Sequence, residues 1–252
     1  MKQKTSQGHF PDTTTRWAFD ESVTECFDDM LSRSIPLYTQ TLDLIAELAM
    51  PHIRSGDTIL DLGVSCGQAI QRIINNLEKK NIKNVRIVGI DNSDSMLVEA
   101  KDRLPASCEL IKHDLRTGLP YRAVACEPSV ILCLWTAQFI PLEYRSSLFN
   151  EARECVTKSG CMFIAEKLNG QTWLHQKAMI RCYHDWKEKQ GFTKDEIDAK
   201  ATSLEGVLVS HTAPNIKAAL LNEGWTPEEV IRYLGFAAWY CLPIGQNKKG
   251  GA

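Results

Sequence analysis

Three aspartates in sequence order, each set beside a short apolar run, are the residues here whose types and spacing bear on chemistry. Asp61 opens the pattern Asp61-x-Gly63-x-x-x-Gly67. Ile59, Leu60 and Leu62 around it read as a buried strand of a parallel sheet. The two glycines bracket a tight turn, where a Cβ would obstruct both the chain and a ligand. An amphipathic helix starts at once from Gln68. Strand, glycine turn and helix form the first unit of a nucleotide-binding sheet. The loop matches neither G-x-x-x-x-G-K-[ST] nor G-x-G-x-x-G, because residues 64–66 are Val64, Ser65 and Cys66. Asp91 ends the next apolar run, 24 residues after Gly67, where a carboxylate accepts hydrogen bonds from ribose hydroxyls. Asp114 follows the third run, Cys108 to Lys112. Each aspartate alone also suits a cap or a turn.

The elements that must position these groups follow from periodicity. Ser129 to Trp135 is a continuous apolar run and reads as the central fourth strand. Ligand crevices in such sheets lie beyond the carboxyl ends of the strands, which makes Trp135, Thr136 and Gln138 candidates. Residues 142–156 read as a helix and Cys161 to Lys167 as the fifth strand. Residues 170–210 break the alternation: 175–189 and 194–208 are charge-rich helical stretches around Gly191, read as a hairpin inserted above the crevice. Tyr183 and Trp186 sit on its first helix, where aromatic faces suit either core packing or cation–π contact with a bound cation. Residues 215–224 read as the last helix and 230–242 as one or two closing strands. Ahead of the sheet, residues 13–50 form a helical cover that flanks it or acts as a lid. Arg33 and Tyr38 lie in that cover, polar groups in an apolar region near a helix start. The whole chain, 1–252, reads as one domain with tails at 1–10 and 246–252.

Composition narrows the function classes. Lys plus Arg is 29 and Asp plus Glu is 31, giving a net charge of −2, so no strong field for nucleic acid is present. No apolar run reaches membrane-spanning length and the first ten residues have no signal-peptide core, which points to the cytoplasm. The nine cysteines are an odd number without a C-x-x-C pair and read as buried thiols, with Cys66 in the glycine turn the one nucleophile candidate. The six histidines show no metal spacing.

The pattern Asp61-x-Gly63-x-x-x-Gly67 resembles motif I of class I S-adenosylmethionine (SAM) enzymes. Six further stretches make the resemblance specific: Trp17 to Val23, Ser32 to Tyr38, Gly89 to Ser93, Thr136 to Phe139, Ala165 to Lys167 and His184 to Lys187. Together they are similar to carboxy-S-adenosylmethionine synthase over residues 16–240. The resemblance implies a Rossmann-like α/β fold with a mostly parallel seven-stranded sheet, and SAM as cosubstrate or sole substrate. It implies that Tyr38 contacts the ligand. Gly63, Val64, Ser65 and Gly67 would hold its amino-acid end, Asp91 and Asn92 the ribose, and Asp114 and Leu115 would lie by the adenine. Tyr38 and Tyr183 are then the catalytic candidates, Leu134 and Trp135 line the reactive end, and Arg33, Gln138 and Ala201 face the second substrate. The family makes carboxy-SAM from SAM and prephenate for modification of a tRNA wobble uridine. This chain departs from it twice. Ala201 stands where the family has an arginine that pairs with the product's extra carboxylate, and Leu134 stands for an asparagine. Lys200 is adjacent, but the neighbouring position on a helix points about 100° away, so Lys200 compensates only if the backbone shifts. Four readings follow: methyl transfer to a small molecule, carboxy-SAM synthesis, cyclisation of SAM to azetidine-2-carboxylate and methylthioadenosine, and a SAM-binding scaffold without turnover. A homodimer is compatible with each, and no direct nucleic-acid or membrane partner is expected.

Overall fold

A computed structural model describes residues 17, 19–24 and 26–245; the tails expected at 1–10 and 246–252 lie outside the described residues. Two short helices, α1 (Glu21–Thr24) and α2 (Phe27–Ser34), lead to α3 (Tyr38–Ala49). Five strand–helix units follow: β1 (Thr58–Leu62) and α4 (Gln68–Lys79), β2 (Arg86–Asp91) and α5 (Asp94–Arg103), β3 (Glu109–Lys112) and α6 (Tyr121–Val124), β4 (Val130–Leu134) and α7 (Leu142–Cys155), then β5 (Cys161–Lys167) and α8 (Trp173–Lys189). Helices α9 (Lys194–Ser203) and α10 (Ala213–Asn222) precede the hairpin of β6 (Trp225–Tyr233) and β7 (Phe236–Pro243).

The seven strands form one sheet in the order β3-β2-β1-β4-β5-β7-β6. The first five are parallel, and β7 enters antiparallel between β5 and β6. Strand order reverses between β1 and β4, the switch point at which a crevice opens beyond the strand ends. Side chains alternate between two cores. Leu60, Ile131 and Ile164 pack on one face with α7 and α10. Ile59, Leu132 and Phe163 pack on the other with α3 and α4. Trp225 is fully buried and donates its indole N–H to the Phe149 carbonyl at 2.9 Å. Deleting a ring so placed costs about 3–5 kcal/mol.

The sequence reading of the closing strands starts five residues late. Residues 225–229 already belong to β6, the edge strand, where Pro227 sacrifices no essential ladder bond. Helix α9 is shorter than expected because Leu204 ends it, and α10 runs two residues earlier, from Ala213, with Thr212 capping it.

The inserted helices are tied to the N-terminal ones. The Tyr183 hydroxyl on α8 donates to the Ser34 carbonyl at 2.6 Å, and Arg33 Nε donates to the Gln190 carbonyl at 3.0 Å. The Trp17 N–H donates to the Ser203 carbonyl at 3.0 Å. No helix among the described residues is long and apolar enough to cross a membrane.

Candidate active site

A cavity of about 530 Å³ opens over the carboxyl ends of β1, β2, β4 and β5, between the sheet and the helices α2, α3, α8 and α9. Its floor begins at Asp61, whose side chain faces the cavity at 2% exposure. Burial, and then the charge of Asp91, push its carboxyl up to about 8. The backbone turns left-handed at Gly63 (φ 87°), and a Cβ there would stand 2.2 Å from Thr136 Oγ1. That position admits only glycine. Gly63 and Val64 both donate N–H to the Ile90 carbonyl at 2.8 Å. Ser65, also left-handed (φ 50°), donates its N–H to Asp91 Oδ2 at 2.9 Å, while Ser93 N–H reaches Oδ1 at 2.9 Å. Asp91 therefore fixes the loop and retains a lone pair on each oxygen for a ligand hydroxyl. Burial raises its carboxyl, and backbone donors oppose that shift.

Asn92, Asp114 and Leu115 line the same end of the cavity. Asp114 accepts the Arg116 N–H at 3.0 Å and pairs with its guanidinium, which holds the carboxyl below the usual carboxylate range. The far end is apolar and aromatic. Tyr38 and Trp135 meet with ring centres 5.1 Å apart, and Leu134 and Phe236 pack beside them. Trp135 holds a left-handed backbone (φ 54°) fixed by its N–H bond to the Ala165 carbonyl at 2.7 Å. Non-glycine residues strained in this way cluster at sites of function. Burial keeps the Tyr38 phenol protonated, raised far above its ordinary value. Tyr183 is likewise raised by burial, and with its hydroxyl bound to Ser34 it offers the cavity its ring.

Three residues of the expected set lie elsewhere. Gly67 turns the chain into α4 behind the loop, where a Cβ would meet Leu104 at 2.9 Å. Arg33 sits on the outer side of α2, paired with Asp29 at 3.0 Å and stacked 4.4 Å over Phe192; it joins α2 to α8 and does not line the cavity. Ala201 is exposed on α9. The inward residue of α9 is Lys200, 7% exposed, whose Nζ donates to Ser34 Oγ at 3.2 Å and lies 5.1 Å from the Trp17 ring centre. The expectation that Lys200 points away is thus reversed. Ile197, Lys200 and Ser203, three residues apart, form the buried face of α9. Burial, reinforced by Lys187, pushes Lys200 down to about 7.

The sequence reading also passed over Lys167, which ends β5 and lines the cavity by the same strand-end rule that selects Gln138. The two are joined: Gln138 Oε1 accepts the Lys167 N–H at 2.8 Å. Behind them Glu166, 2% exposed, accepts the Gln138 N–H at 3.3 Å. Burial pushes its carboxyl up to about 8, against the pull of Arg145. Cys66 is no nucleophile: it is buried against Met96 and its thiol is pushed up to about 12.

No protein-family model matches the chain. Relatives of the same length do. It is 33% identical to the carboxy-S-adenosyl-L-methionine synthase of Wolinella succinogenes over 229 residues, covering 89% of this chain and 92% of that one. Identity to the Methylococcus capsulatus synthase is 31% over 233 residues, covering 89% and 90%. The chain belongs to the carboxy-S-adenosyl-L-methionine synthase family. It is a SAM-dependent enzyme. Solved structures place the fold among class I methyltransferases. The DhpI–SAH complex matches with a TM-score of 0.51 at 15% identity, over 88% of this chain and 96% of that one. A TehB-like SAM-dependent methyltransferase from Corynebacterium glutamicum matches with a TM-score of 0.54 at 13% identity, over 88% and 97%. Of the two departures that the resemblance names, Leu134 lines the aromatic end of the cavity, and Ala201 lies outside it on the exposed face of α9.

Proposed function

We propose that the enzyme transfers the methyl group of SAM to a small-molecule acceptor held in the aromatic half of the cavity. The observation that carries this reading is the wall formed by Tyr38, Leu134, Trp135, Tyr183 and Phe236 beyond the Gly63–Asp91 loop. With the amino-acid end of SAM on the loop and its ribose on Asp91, the sulfonium faces that wall. The rings of Tyr38, Trp135 and Tyr183 stabilise its positive charge. In the reaction a lone pair of the acceptor forms the new bond to the methyl carbon, the carbon–sulfur bond breaks and its electron pair stays on sulfur as a neutral thioether, and the positive charge passes to the acceptor, where it neutralises an anionic atom or leaves as a proton to solvent. Charge disperses along that path, so a water-excluding wall favours it, and alignment supplies most of the acceleration. Helices α1–α3 and the insertion α8–α9 serve as the cover that excludes water.

Carboxy-SAM synthesis is the second reading, and Lys200 favours it. Its inward ammonium supplies the reactive half with a cation that Ala201 does not. Mass spectrometry of the protein incubated with SAM alone, with SAM and prephenate, and with SAM and a panel of small acceptors separates the readings. Methyl transfer leaves S-adenosylhomocysteine and a methylated acceptor. Carboxy-SAM in the prephenate arm replaces it with the second reading. Methylthioadenosine from SAM alone shows cyclisation, and SAM returned unchanged from every arm shows a binding scaffold.

A further inference from the structure

The cosubstrate placement above assigns β1, β2 and β3 to SAM, which leaves the next strand ends, β4 and β5, for whatever meets the sulfonium. Two polar side chains stand there. Gln138 is 4% exposed and lines the cavity. Its Oε1 is engaged by the Lys167 N–H at 2.8 Å, so its Nε2 is the donor left for the cavity. Lys167 places its ammonium 5.2 Å from the centre of the Tyr183 ring, and no carboxylate among the described residues pairs with it. Lys187 lies 5.4 Å from the same ring centre, and Lys200 enters the cavity from α9. Lys167 acts on both as a repelling like charge. Lys187 and Lys200 are buried and Lys167 is half-buried, and Asp198 and Glu196 act on Lys187 alone of the three, so an anion seated beside Lys167 offsets the repulsion among them.

We propose that Lys167 and Gln138 form an oxyanion subsite that seats a carboxylate of the second substrate. One ammonium and one amide N–H supply donors for the two oxygens of a planar carboxylate. The cation that reads the anionic end of the substrate therefore sits on β5 in this chain, and not at residue 201 on α9. The substrate class is a small organic acid whose apolar part lies against Trp135 and Tyr183. This rests on the reading of the enzyme as one that joins SAM to a second small molecule.

The test starts by titrating S-adenosylhomocysteine into the native protein, Lys167→Met and Lys167→Arg. Equal affinity in all three shows that the variants fold and keep the cosubstrate half. The saturated complexes are then titrated calorimetrically with pyruvate, malonate, phenylpyruvate, the corresponding amides and inorganic phosphate. At least one carboxylate is expected to bind the native complex at least tenfold more tightly than its amide. That affinity is expected to fall at least tenfold in Lys167→Met and to return largely in Lys167→Arg. Equal carboxylate affinity in Lys167→Met overturns the subsite, as does a native complex that binds none of the carboxylates. Phosphate binding in place of the carboxylates overturns the substrate class. Failure of S-adenosylhomocysteine to bind, seen in the first titration, removes the SAM reading and this proposal with it.

Discussion

Replacing Asp61 by asparagine is expected to stabilise the free protein and to weaken SAM binding, with a pH signature for each. The carboxyl is 2% exposed, and burial with the neighbouring Asp91 charge raises it from 3.8 to about 8. In the unfolded chain it ionises near 4. The folded state therefore binds a proton that the unfolded state releases between about pH 4 and pH 8. Over that window Asp61 costs the fold about 1.4 kcal/mol per pH unit, or about 4 kcal/mol at pH 7, and the cost levels off above about 8. Asparagine has nearly the same shape and no proton to lose. The stability difference between Asp61→Asn and the native protein, from denaturant midpoints at a series of pH values, should be flat below about pH 4 and then rise in favour of the variant until about pH 8. Binding moves the other way. With the SAM ammonium on the Gly63 loop, as proposed, the ionised carboxyl is favoured, so native binding should release a proton below pH 8 and tighten as pH rises to that value. The variant loses the charge-assisted bond, about 1.5–3 kcal/mol, and with it the proton release seen by calorimetry in buffers of different ionisation enthalpy. A stability difference that does not change between pH 4 and pH 8 would refute the burial argument. Unchanged SAM affinity and proton release in the variant would place the ammonium elsewhere.

Asp91→Ala should weaken SAM binding by about 1–3 kcal/mol, through loss of the ribose bonds and of the Ser65 anchor, with unchanged calorimetric affinity in a folded variant removing Asp91 from the site. Tyr38→Phe should keep turnover, because the buried phenol stays protonated and contributes its ring, while Tyr38→Ala should lower turnover more than stability; equal turnover in Tyr38→Ala would reduce α3 to a cover for the sheet. Ala201→Arg should leave the product distribution unchanged, because its side chain starts from the exposed face of α9, whereas Lys200→Met should change it; a carboxy-SAM yield that rises in Ala201→Arg alone would restore residue 201 to the site.

The loop end of the cavity, Gly67 apart, was legible in the sequence because it is local. Gly63 and Asp91 belong to strand-end turns whose chemistry is written within a few residues, and those strands read as apolar runs, the first interrupted by Asp61. The reactive half is assembled from segments far apart in the chain, and there the reading was uneven. Gln138 and Lys167 both follow from the strand-end rule, yet only Gln138 was read. Lys200 was lost to helical phase: Ile197 and Ser203 set the inward face of α9, and judging Lys200 only by its distance around the helix from residue 201 gives the wrong side. Arg33 shows the limit of reading polarity alone. A cation in an apolar segment satisfies Asp29, the Gln190 carbonyl and the Phe192 ring as readily as a substrate, and only the tertiary packing decides.

The distribution of change within the cavity bears on the chemistry. The parts proposed to hold SAM are constrained from several sides at once. Gly63 has no room for a Cβ beside Thr136, and Asp91 is shared between two backbone donors, so neither changes without disturbing the loop. Leu134 and Ala201 carry no such constraint. Leu134 ends β4 against Tyr38 and Trp135, where its side chain completes an apolar wall in place of an amide. Residue 201 faces solvent, so the fold places little constraint on it. An enzyme can therefore keep its grip on SAM while the reactive half is rebuilt for another partner. Here the wall at the proposed sulfonium position is apolar, with the half-buried Lys167 at its β5 margin and the buried Lys200 at its α9 margin. That arrangement favours a reaction in which the sulfonium loses its charge against aromatic rings while the anionic end of the partner is held to one side.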